Sequence, residues 1–146
     1  MCLIVDANVA VQFFCKTDPR SADLQNAVFG AGCCVVYGGH LREEYERIGK
    51  ARRIVLALDR AGKARAIPDG PVQRRTDALK SSGVLGSDDP HIIALAEVSG
   101  SRLLHSLDAA LHRDFTNPAV INNPRGKVYQ GGPGHRHLVT SYCKGC

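Results

Sequence analysis

Short continuous apolar runs alternate along the chain with longer stretches whose apolar positions recur every three or four residues. Cys2 to Val5 and Cys33 to Tyr37 are unbroken apolar runs containing β-branched residues, the pattern of strands buried on both faces of a parallel sheet. Asn8 to Phe14 carries Val9 and Phe13 at helical spacing, and Ala22 to Phe29, entered through Asp18-Pro19 and stopped by Gly30 and Gly32, predicts a second helix. Beyond the Gly38-Gly39 turn, helices are predicted over His40 to Ile48 and about Ala51 to Arg60. A brief strand over Ala64 to Ile67 follows, then a helix over Pro71 to Lys80 with Val72 and Leu79 on one face. Ser82 to Ser87 reads as a loop. Pro90 to Val98 is apolar nearly all round and predicts a buried helix. Arg102 to Leu107 predicts a strand, Asp108 to Phe115 a short helix, and Lys127 to Tyr129 a last strand.

Strands alternating with helices at this spacing imply an α/β fold, a three-layer α/β/α sandwich around a central parallel sheet. No internal repeat or domain boundary interrupts it. The main domain is expected over residues 1–130, with residues 131–146 as a C-terminal extension. At 146 residues and 44% apolar content, one domain with a real core is expected. No apolar run is long enough to span a membrane. The opening Met1-Cys2-Leu3-Ile4-Val5-Asp6 lacks a basic lead and is interrupted by Asp6, so it does not read as a signal peptide and a cytoplasmic protein is expected.

Charge changes the picture. The net charge is +5, and between Arg42 and Lys80 eleven Lys/Arg stand against six Asp/Glu, so the whole excess lies in that third. Arg42, Arg52, Arg53, Arg74 and Arg75 are the candidates there for contacts to a polyanion such as RNA. A solvated helical surface is the plainer reading of the same charges. With 5% aromatic residues and no Trp, base stacking is not an obvious binding mode.

The predicted topology brings four acids to one place. Asp6 closes the first strand, Asp108 follows a later one, Asp89 opens the buried helix, and Glu44 lies in the helix after the second strand. Ligands of such sheets gather at the carboxyl ends of the strands. Each Asp also precedes a helix and could simply cap it. Leu41, Tyr45 and Ile48 define the buried stripe of their helix, and Glu44 falls about 70° from its centre, while Glu43 and Glu46 point to water. Converging carboxylates repel one another, and divalent cations relieve the conflict. An all-oxygen donor set selects Mg²⁺ or Mn²⁺.

Several segments resemble the PIN-domain nucleases. Leu3-Ile4-Val5-Asp6-Ala7-Asn8 is similar to that family's opening strand and first metal-binding aspartate. Leu41-Arg42-Glu43-Glu44-Tyr45 resembles its glutamate-bearing helix. Asp88-Asp89-Pro90-His91-Ile92-Ile93-Ala94-Leu95-Ala96 resembles its acidic helix start, and Leu103-Leu104-His105-Ser106-Leu107-Asp108 its strand ending in an acid. The likeness runs from about residue 1 to 130. It implies RNA cleavage by a two-metal mechanism, with Asp6, Glu44, Asp89 and Asp108 as catalytic metal ligands. Asn8 and Ser106 would orient ligands, and Asp88 rivals Asp89 for its place. Asp114 reads as structural. The family's habits add a toxin role with an antitoxin protein as partner, and pairing as a homodimer. A non-catalytic RNA-binding scaffold is the alternative. A phosphatase of the haloacid-dehalogenase type needs Asp-x-Asp on the first strand, where Asn8 stands instead, and a receiver needs paired early acids that are not evident here.

Six cysteines are many for this length. In a cytoplasmic protein they are expected to stay reduced, with Cys2, Cys33 and Cys34 as small core residues. His135, His137, Cys143 and Cys146 offer zinc-type ligands, against a flexible tail or a packed helix over His137 to Tyr142. The remaining histidines, His40, His91, His105 and His112, read as structural or surface groups.

Overall fold

The computed structural model describes residues 2–146. Five strands form one all-parallel sheet in the order β3-β2-β1-β4-β5. They are β1 (Leu3–Val5), β2 (Val35–Tyr37), β3 (Ala64–Ala66), β4 (Leu103–His105) and β5 (Lys127–Tyr129). The first, second and fourth are fully buried, which is why their sequences are apolar without alternation.

The helices are α1 (Ala7–Phe14), α2 (Ala22–Phe29), α3 (Gly39–Arg47), α4 (Gly49–Arg60), α5 (Asp69–Ser82), α6 (Pro90–Ser99), α7 (Ala109–Thr116) and α8 (Arg136–Tyr142). Their main mutual contacts fall into two groups: α1, α3, α4, α5 and α6 pack on one another, whereas α2 packs on α8. A parallel sheet flanked by helices in this way has the α/β/α layering expected from the sequence. No helix among the described residues is long and apolar enough to cross a membrane.

Two local features set the site's frame. Gly39 enters α3 at φ +55°, and a Cβ there would lie 2.8 Å from Val72 Cγ1, so only glycine lets α5 approach the start of α3. Strand β4 stops at His105, short of the expected Leu107. The chain turns there to bring the Ser106 hydroxyl onto Asp6, and Leu107 is left 62% exposed.

The C-terminal extension departs from expectation. Cys33 is bonded to Cys143 and Cys34 to Cys146, with Cα–Cα distances of 4.5 and 4.9 Å. Cys33 and Cys34 are core residues as expected but are not reduced, and Cys143 and Cys146 have no thiolate left for zinc. His135 Nδ1 instead accepts the Gln130 N–H at 2.8 Å. Among the described residues the free cysteines are Cys2 and Cys15. The extension forms α8, with Leu138 buried, an Arg136–Asp23 ion pair of 3.0 Å, and the Cys34 N–H bonded to the Lys144 carbonyl at 2.6 Å. Disulfides persist in oxidising surroundings, so both bonds run counter to the reducing cytoplasm expected from the sequence.

Candidate metal centre

Successive strands leave β1 in one direction through β2 and β3, and in the other through β4 and β5. The order therefore reverses between β1 and β4, and the crevice at the carboxyl ends of those two strands is where open α/β sheets bind ligands. Asp6 follows β1 directly, and Ser106 and Asp108 follow β4.

The N-cap positions separate two roles for the aspartates. Asp108 caps α7: its Oδ1 accepts from the N–H groups of Ala110 and Leu111 at 2.8 and 3.1 Å. Asp6 and Asp89 stand at the N-cap positions of α1 and α6, but neither side chain caps its helix. The Asp6 carboxylate turns to Ser106 instead and accepts its hydroxyl at 2.6 Å. The same Ser106 oxygen accepts the Asp108 N–H at 3.1 Å and the Asn8 amide at 3.5 Å. One hydroxyl thus ties the ends of β1 and β4 together.

Asp89 lies between Asp6 and Asp108. Burial, then the charge of Asp6, pushes its carboxyl up to about 6, and Asp108 adds to the rise through a side-chain hydrogen bond between the two acids. Burial also raises Asp6, against the lowering bonds from the Ser106 hydroxyl and the Asn8 N–H, and the charge of Glu44 adds to the rise. Asp108 is held below the ordinary carboxylate range, first by the Leu111 N–H. Burial acts to raise Glu44 as well, but the bond and charge of His91 outweigh it and hold that carboxyl low. The acids therefore form a chain, Glu44 to Asp6 to Asp89 to Asp108, in which each feels the next. Asp88 is exposed and lines a groove of about 290 Å³ with Glu44, Asp89, Lys80 and Gln73. Of the adjacent pair it is Asp89 that meets Asp6 and Asp108.

Glu44 is held by residues that the sequence left as bystanders. His91 Nε2 lies 3.2 Å from Glu44 Oε2, and His40 Nε2 lies 3.9 Å from Oε1, with the two imidazole rings edge to face at 4.8 Å. His91 is one residue past Pro90 in α6. Its place among the acids was hidden because an aromatic-like residue in an apolar helix reads as core. Tyr45, next to Glu44, is 2% exposed, and its hydroxyl donates to the Val5 carbonyl. That bond fixes α3 against the end of β1. Asp114 is structural: its carboxylate accepts the Gly86 and Ser87 N–H groups at 3.0 and 2.8 Å, which pins the loop leading into Asp89.

The donor set is hard oxygen with accumulated negative charge, and that chemistry fits a divalent cation. Among the described residues, however, no group of three or more His, Cys, Asp or Glu side chains is set closely enough to hold a metal ion as it stands. A cation held there would have to draw the acids in against their repulsion.

The arginines of the basic segment are partly spoken for. Arg42 pairs with Asp69 at 3.2 Å and donates to the Ile67 carbonyl at 3.3 Å, and Arg75 forks onto Glu97. Arg52, Arg53 and Arg74 are exposed. Arg52 and Arg42 line a hollow of about 280 Å³ with Tyr37 and Tyr45, away from the acids' own groove.

No family model matches the chain, and no curated protein or solved structure matches it.

Proposed function

We propose that the protein is an endoribonuclease of the PIN type, dependent on Mg²⁺ or Mn²⁺ and cutting RNA phosphodiester bonds. The observation that carries this reading is the meeting of Asp6, Asp89 and Asp108 at the strand-order reversal, with the Asp6 carboxylate bonded to Ser106 and Asp89 left beside it in mutual repulsion. Asp6, Glu44, Asp89 and Asp108 are the residues that would hold the cations. Divalent ions held there supply Lewis acidity for in-line phosphodiester hydrolysis. The chain's own contribution is positioning. Ser106 fixes the Asp6 carboxylate, His91 and His40 aim Glu44, and Asp114 holds the loop that delivers Asp89. Burial of Asp6 excludes competing water from one side of the cluster. The groove along Glu44 and Asp89 carries Lys80 and Gln73, a cation and an amide suited to a phosphate oxygen and a base edge.

The test is cleavage of a fluorescent RNA during titration with Mn²⁺. Cutting that follows the metal, stops on adding a chelator, and disappears in both Asp6→Asn and Asp108→Asn is the expected result. Tight RNA binding without turnover in any divalent metal supports the second reading, a non-catalytic RNA-binding scaffold. The absence of a ready-made metal cage favours that second reading. A toxin role is part of the proposal; a small neighbouring gene for a DNA-binding antitoxin supports it, and its absence counts against it.

A further inference from the structure

Along the outer edge of β5 runs a surface that the acid cluster does not use. β5 is an edge strand, paired only with β4. Between it and α8 lie two hollows of about 420 and 450 Å³ that share Lys127, His137 and Leu138 and so form one trough. His112, Arg113 and His135 line one end and Tyr142 the other. Among the described residues no carboxylate lines either hollow. Nor do Arg113 and Lys127 form an ion pair among those residues, whereas nearby Arg136 is taken by Asp23.

The trough begins beside the acids. Asp108 caps α7, and His112 and Arg113 lie on that same helix. At 1.5 Å per residue Arg113 stands about 8 Å along the axis from Asp108. His112 also reaches back, its Nε2 lying 2.6 Å from the Ser106 carbonyl oxygen, and Ser106 holds Asp6. The far wall is fixed covalently, because α8 runs into Cys143 and Cys146. A rigid channel lined by uncompensated cations, with an aromatic ring at its end, suits the backbone of an unpaired nucleic-acid strand.

We propose that this trough binds single-stranded RNA, with Arg113 and Lys127 on phosphates to one side of the cut and Tyr142 under a base. The direction of the strand rests on the nuclease reading; the affinity of the trough does not. The binding path thus runs over α7, β5 and α8 and leaves aside Arg42 and Arg75, which are already paired.

The test is anisotropy of a fluorescein-labelled oligouridylate with chelator present, across a salt series. In Arg113→Glu/Lys127→Glu the affinity falls about tenfold or more, and in the neutral pair Arg113→Gln/Lys127→Gln the slope of log K against log salt shrinks by about 1.4, the value for two lost phosphate contacts on a single strand. Lys16→Glu, outside the trough, binds as the parent does. Both trough side chains are solvent-accessible, and if the charge-reversed pair fails to fold, the neutral pair decides alone. Unchanged affinity and slope in a folded pair overturn the proposal. So does displacement of the RNA by polyglutamate as readily as by unlabelled oligouridylate, which assigns the trough to an acidic peptide. Parent protein that binds through Arg113 and Lys127 yet cuts nothing in any divalent metal removes the nuclease and supports the trough. Metal-dependent cutting of long RNA that both trough pairs leave intact removes the trough and keeps the nuclease.

Discussion

The Ser106 hydroxyl makes more of the site than its size suggests. It donates to Asp6 and accepts from Asp108 and Asn8, so its removal strands a buried carboxylate and a backbone N–H together. Ser106→Ala is expected to cost about 1–3 kcal/mol, read from urea denaturation. His91 bonds to Glu44, and its charge also acts on Asp6 and Asp89. His91→Ala should lower metal-dependent cleavage about 10–100-fold, as loss of an orienting group does, and His91→Gln, which keeps a donor, should recover part of it. Equal rates in the Ala and Gln variants would mean that His91 merely fills space. The placing of Asp6 and Asp108 at one edge was legible in the sequence because chain topology alone puts strand-end residues there, and Glu44 stood out only by its place beside the buried stripe of α3. His91 did not, because nothing in a local apolar pattern says which of its neighbours faces a carboxylate across 47 positions of chain.

Helices and strands were readable for a simpler reason: each bears its apolar residues at its own period, and the core uses them. Leu41 and Tyr45 in α3, Val72 and Leu79 in α5, and Ile92 to Ala96 in α6 are all buried. The ends were less readable. β2 begins at Val35 because Cys33 and Cys34 are drawn to the C-terminal cysteines, and α5 runs on to Ser82, where Gly83 closes it at φ 65°. Capping divides the acids at this scale. Asp108→Ala removes both the charge and the cap of α7 and should destabilise the fold by about 1 kcal/mol. Asp108→Asn keeps an effective cap, so it should match the parent in thermal denaturation while losing cleavage. A parent-like rate in Asp108→Asn would show that the residue only caps.

For the molecule as a whole, the two disulfides are the largest feature that local pattern could not reveal, because pairing across separations of 110 and 112 residues is set by the fold and not by cysteine spacing. Alkylation of the native protein followed by mass spectrometry should label two cysteines, Cys2 and Cys15, and all six only after reduction. The first crosslink closes a loop of about a hundred residues, worth about 4–5 kcal/mol at most, while the second adds only a small ring to it. Cys143→Ser should therefore leave Cys34–Cys146 to hold most of the stability, and the double variant with Cys146→Ser should melt well below either single one. The basic segment shows the opposite limit of a sequence reading: its net charge is real, but whether Arg42 and Arg75 are available depends on Asp69, 27 residues away within the segment, and on Glu97 beyond it, and only the fold makes those pairings.

The proposed function depends on repelling carboxylates being reconciled by a cation, so the most direct measurement is titration of the chelator-treated protein with Mn²⁺ by calorimetry and electron paramagnetic resonance. Saturable manganese binding to the parent, lost in Asp6→Asn and in Asp89→Asn while both variants remain folded, is the predicted result. No saturable binding, or binding that survives both substitutions, would contradict it.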